Sequence, residues 1–187
     1  MGRRPEASAA ASLLLLIAAC LFPAAAAADP ATVGPVVITV PEGFQPAHTQ
    51  RLKKSLVTAW TKSGRNGSMK TLLQINVVDF GSSRPSPRLD ASMHAERYLR
   101  QFLGDIQRRR ARYVSSPIAH IELAGMPAVR ATWNGAIGER EVVGVVYSVI
   151  VQDRYAVIFH TQDLGSTPTS GMFEAMASIE SIGLAGG

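Results

Sequence analysis

Residues 118–162 read IAHIELAGMPAVRATWNGAIGEREVVGVVYSVIVQDRYAVIFHTQ, and the period of this stretch decides the fold. Val129, Ala131 and Trp133 alternate with Arg130, Thr132 and Asn134, the signature of a strand with one buried face. Turn chemistry punctuates the run at Ala124-Gly125-Met126-Pro127, at NGAIGER (134–140) and at Asp153-Arg154. Four strands follow, near 118–123, 129–134, 141–152 and 155–162. Connections this short force antiparallel pairing, because parallel neighbours need a crossover of about a dozen residues or more.

On the C-terminal side, Pro168-Thr169-Ser170-Gly171 introduces a helix in which Phe173, Met176, Ala177 and Ile179 share a face. On the N-terminal side, Asp90 is an N-cap for DASMHAERYLRQFLGDIQRRRARY, whose Ala95, Leu99, Phe102, Leu103 and Ile106 form one apolar stripe. GSSRPSP (81–87) before it is a loop. Further upstream, Asn66-Gly67 tolerates the positive φ angles of a tight hairpin and predicts antiparallel strands near 57–63 and 69–80. Asn66-Gly67-Ser68 is formally a glycosylation acceptor but reads as this turn. VVITV (36–40) is a first strand, stopped by Pro41-Glu42-Gly43. Between them, 45–56 admits both helix and loop, since Leu52, Leu56 and Trp60 recur every four residues within a polar stretch. The expected architecture is α+β: an antiparallel β-sheet of about six strands covered by helices, formed by a single domain over 36–187 after a linker over 29–35.

The first 28 residues have the layout of a secretory signal peptide: Arg3 and Arg4, an apolar run from Ala9 to Phe22, then Pro23 and alanines. The run is shorter than the roughly 20 residues a membrane span needs. Ala26-Ala27-Ala28 fits cleavage after Ala28, which discards Cys20 and yields a periplasmic or secreted protein. Ile17-Ala18-Ala19-Cys20 fits the competing lipoprotein cut, in which Cys20 carries the lipid and residues 21–34 become a tether. With residues 1–28 removed the chain contains no cysteine, which excludes disulfides, thiol catalysis and thiolate metal sites. Loss of Arg3, Arg4 and Glu6 lowers the formal charge from +5 to +4, too mild to suggest nucleic-acid binding.

The most conspicuous charged cluster is Arg108-Arg109-Arg110-Ala111-Arg112 at the end of the long helix. At 100° per residue Arg97, Arg100 and Arg108 point away from the apolar stripe, and Arg109 and Arg110 flank it. Such a run is a solvated face that complements the helix dipole, or alternatively a contact for anionic lipid or an acidic protein. His48, His94, His120 and His160 show no metal-ligand spacing. His120 and Glu122 share one strand face and His160 lies in another strand, so a small hydrolase or metal-dependent enzyme built on these three is the catalytic alternative. GSTPTSG (165–171) lacks the spacing and context of a nucleophile elbow, and no phosphate-binding glycine motif occurs. Trp133 belongs to the core by its alternation. No cofactor or metal is expected.

The strand ending in VPEGF, the mid-chain amphipathic helix, the stretch IELAGMPAVRATW, the strands after it and the closing FEAMASIESI together resemble the PsbP-like fold. The likeness runs over about 36–184. It implies an α/β/α sandwich around an antiparallel sheet and, for bacterial members, an exported protein without known catalysis. No functional residue carries over. The expectation is therefore an exported, non-enzymatic envelope binding or adaptor module, with an unknown envelope protein or anionic surface as partner.

Overall fold

The computed structural model describes residues 29–64, 67–81 and 91–186. The expected leader with Cys20, Asn66 of the expected turn and Asp90, the expected N-cap, lie outside them. The chain runs β1 (Asp29–Val33), β2 (Val36–Val40), β3 (Phe44–Leu52), β4 (Ser55–Ser63), β5 (Met69–Asp79), α1 (Ala91–Gln107), β6 (Ala111–Ser115), β7 (Ala119–Leu123), β8 (Met126–Ile137), β9 (Arg140–Val151), β10 (Tyr155–Leu164), α2 (Ser170–Glu180) and β11 (Gly183–Leu184). Eight strands form the main sheet in the order β3-β4-β5-β10-β9-β8-β6, with β7 also on β8; β1, β2 and β11 form a separate small sheet. Every pairing is antiparallel.

The main sheet thus exceeds the expected six strands by two, for physical reasons visible in the added elements. β3 is exposed along Gln45–Leu52, so no alternation marked it. β6 was read as the end of α1. The helix stops at Gln107 because the amides of Arg109 and Arg110 turn back to the carbonyls of Ile106 and Gln107, tightening the last turn. Arg112 then takes φ 50° inside a bulge against β8, which redirects the chain into the sheet. Residues 29–35, expected as a linker, instead form β1 and its reversal into β2. Gly34 permits that reversal at φ 59°, and a Cβ there would meet the Val77 side chain at 3.1 Å.

The alternation of β8–β10 sorts two cores. Val129, Ala131, Trp133, Val142, Val146 and Ile158 face α1, which lays Ala95, Leu99, Leu103 and Ile106 on them. Tyr147, Val149, Val157 and Phe159 face the other way, beneath α2 and the small sheet. Both faces being covered explains why β9 and β10 are apolar almost throughout.

The buried face of α2 is Met172, Ala175 and Ile179, while Phe173 is 58% exposed and Ala177 is also exposed, contrary to the sequence reading. Its phase is set at its N-terminus. Asp163, fully buried on β10, accepts from the Thr71 hydroxyl and from the Thr169 amide at the helix cap. Gly171 lies so close to Thr71 that a Cβ would stand 2.7 Å from its hydroxyl oxygen. Asp163→Ala leaves the buried Thr71 hydroxyl and the half-buried Thr169 amide without their acceptor and is expected to cost about 2–3 kcal/mol in chemical denaturation. A loss below about 0.5 kcal/mol, the range of a neutral surface change, contradicts this anchoring of α2.

Candidate groove between α1 and the β6–β7 edge

Register places Trp133, Gly144 and Gln162 side by side on β8, β9 and β10, on the α1 face. The indole occupies the space a side chain at 144 would need: a Cβ there would approach its ring atoms to 2.5 Å. Around it the aromatic rings form a stack. Tyr113 lies at 6.2 Å between centroids, His160 at 5.7 Å, and Phe102 of α1 closes on His160 edge-on at 5.3 Å. The Arg110 guanidinium sits 5.8 Å from the indole centre, and its Nη2 is 3.4 Å from Gln162 Oε1.

The stack is sealed. His160 is 4% exposed, and neither ring nitrogen has a hydrogen-bond partner among the described residues; the same holds for Trp133 Nε1. Burial, with the Arg110 charge added, pushes the His160 pKa down to about 3, so the imidazole is neutral at physiological pH. Burial also raises Tyr113 above the usual phenol value.

Outside the stack a groove of about 600 Å³ opens between α1 and the sheet edge. Glu96, Arg100 and Gln107 line its helix side, Tyr113 and His120 its strand side, and Leu103 its floor. Arg100 donates to Glu96 (Nε–Oε1 2.9 Å), and His120 Nε2 stands 3.6 Å from the other oxygen of that carboxylate. The groove therefore presents charge of both signs, an amide and hydroxyls around an apolar base.

The proposed catalytic set does not assemble. His120 and Glu122 are exposed on β7, whereas His160 is buried on β10. Three strand spacings separate those strands, about 14 Å. Among the described residues no group of three or more His, Cys, Asp or Glu side chains is placed to hold a metal ion. The arginines also divide. Arg100 pairs with Glu96, Arg108 with Asp105, and Arg110 packs on Trp133. Arg97, Arg109 and Arg112 are exposed without a carboxylate within ion-pair distance among the described residues. Sequence reasoning missed Glu96, whose signal was its i,i+4 spacing to Arg100, and Gly144, a glycine inside an otherwise β-branched strand.

No family model matches the chain and no curated protein matches it. Two solved structures resemble it over most of both chains. LpqN, a protein of Mycobacterium tuberculosis described as involved in cell envelope biogenesis, superposes with a TM-score of 0.52 at 12% identity, covering 83% of this chain and 89% of that one. A variant of the protein Mog1 superposes with a TM-score of 0.54 at 8% identity, covering 83% and 96%. The chain has the PsbP-like fold. At these identities the likeness is one of fold. Among the described residues no helix is long and apolar enough to cross a membrane.

The sealed histidine gives a pH signature. The unfolded chain takes up a proton near pH 6.5 that the native His160 refuses until about pH 3, so stability is complete above pH 6.5 and falls as pH drops through that window. The slope from this one group is at most about 1.4 kcal/mol per pH unit. Urea titrations between pH 6.5 and 5 should show that slope in the native chain and a flatter one in His160→Phe. Equal slopes in the two proteins would contradict the sealed stack.

Proposed function

We propose that this chain is an exported, non-enzymatic binding module of the bacterial envelope that engages its partner through the groove between α1 and the β6–β7 edge. The observation that carries the reading is the groove's composition. Its Glu96–Arg100–His120 cluster and Gln107 sit at the surface over the buried, apolar Leu103, while the neighbouring His160 is locked in a neutral, sealed stack. Surface groups of this kind orient a ligand. The wide separation of His120 from His160 speaks against shared acid–base chemistry.

Export is supported by the signal-peptide layout of the first 28 residues. An envelope role is supported by the fold's likeness to LpqN, itself described as involved in cell envelope biogenesis. A photo-crosslinking residue at Gln107 should trap a defined envelope component, and the same residue at Thr49 on β3 should not. Equal trapping at both positions, or trapping at Thr49 alone, contradicts this assignment.

A further inference from the structure

β6 ends the hydrogen-bonded order of the main sheet, so one edge of its backbone is free among the described residues. The other end of the order, β3, is guarded by Pro46, which has no amide proton, and by a bulge between Pro46 and His48. β6 carries its own bulge at Arg112, and Pro117 interrupts the chain after it. Between those two guards remains a short open template, Tyr113–Ser116.

This template has a depression on each side. Toward α1 lies the 600 Å³ groove. Toward α2 lies a second hollow of about 320 Å³, lined by Val114, Thr132, Val143, Pro168 and Met172. Ser115 and Ser116 line both. The β6 side chains alternate accordingly. Tyr113 stacks on Trp133 on the α1 side, and Val114, opposite Asn134, points to the α2 side and is 63% exposed. A strand laid along this edge would send successive side chains alternately into the two hollows, because strand side chains have a period of two.

The hollows differ in chemistry. The α2-side hollow is walled by Val114, Val143, Pro168 and Met172 and suits an aliphatic side chain. On the α1 side the groove presents the Arg100–Glu96 pair, His120, Gln107 and the Tyr113 ring. Arg109 and Arg112, both exposed and without a carboxylate within ion-pair distance among the described residues, stand just before the template. We propose that the β6 edge is a strand-addition site for an extended, acidic polypeptide segment in which Asp or Glu alternates with Val, Ile or Leu. Acidic side chains enter the α1-side groove and aliphatic ones the α2-side hollow, while the backbone pairs with Tyr113–Ser116. This rests on the reading of the α1-side groove as the binding surface and adds the mode of recognition, in which main-chain hydrogen bonds give affinity and the alternate hollows give specificity.

The test uses a synthetic octapeptide of alternating Val and Glu, with two analogues N-methylated on one or the other alternate set of residues. Binding should protect backbone amides within 113–116 from hydrogen exchange. One methylated analogue should lose binding at least tenfold while the other retains it. Val114→Asp, a change at an exposed position, should weaken binding about tenfold with the melting temperature unchanged, and Arg109→Glu/Arg112→Glu should weaken it similarly and flatten its salt dependence. Equal binding by both methylated analogues, protection elsewhere in the chain, self-association through β6, or binding to phosphatidylglycerol vesicles that the peptide does not compete for would each overturn the proposal. So would no peptide binding. If trapping at Gln107 persists in that case, the groove reading stands and strand addition falls; if it is absent as well, both fall.

Discussion

The indole of Trp133 lies where residue 144 would carry a side chain, and only glycine admits it. This cross-strand contact sets the level at which the α1 face of the sheet is filled. With the indole flat over β9, His160 and Phe102 complete the layer toward β10 and the helix, and Tyr113 extends it toward β6. The C-terminal half of α1 rests on that layer through Leu103 and Ile106. The groove beside α1 is therefore a consequence of packing: its strand wall is the outer face of the same stack, through Tyr113. Rigid support of this kind is what a surface site needs to hold its polar groups in register.

The two faces of the sheet solve different problems. The α1 face seals polar aromatic groups that have no hydrogen-bond partner among the described residues, at a cost that packing must offset. On the α2 face the buried carboxylate of Asp163 is satisfied by two donors and fixes the start of the helix. Lys62 of β4 reaches across to Glu174 on the same helix, a partly exposed pair that adds orientation more than stability. α1 is thus seated on the sheet by the stack, α2 is fixed at its start by Asp163 and tied further along by Lys62–Glu174 and by the Tyr147 hydroxyl donating to Glu180, and the small sheet fills the remainder of the α2 side.

Much of this was legible in the sequence where a single period was buried on a single face. The alternation through Trp133, the hairpin reversals of β8–β10 and the Ala95–Leu99–Leu103–Ile106 stripe all read directly into structure. The elements that were not legible lack such a period. β3 is exposed on both faces, and β1 depends on a reversal at Gly34 that only the nearby Val77 explains. The end of α1 was hidden because Arg108–Arg112 has no apolar residue except Ala111 to mark the change from helix to strand. The phase of α2 follows from Asp163 at the end of β10 and from Thr71 on β5, which is remote in sequence. The candidate groove was partly visible, since Arg100, His120 and the arginine run were singled out. Their division into paired and free groups required the contacts with Glu96, Asp105 and Trp133.

Trp133 over Gly144 supports the α1-side surface, and Gly144→Ala followed by amide chemical-shift mapping tests that support most directly. Shifts spreading from β9 into Tyr113–Ser116 and the second half of α1, with α2 left undisturbed, are the result expected. Shifts confined to the immediate neighbours of residue 144, with the α1 and β6 resonances unmoved, would contradict it.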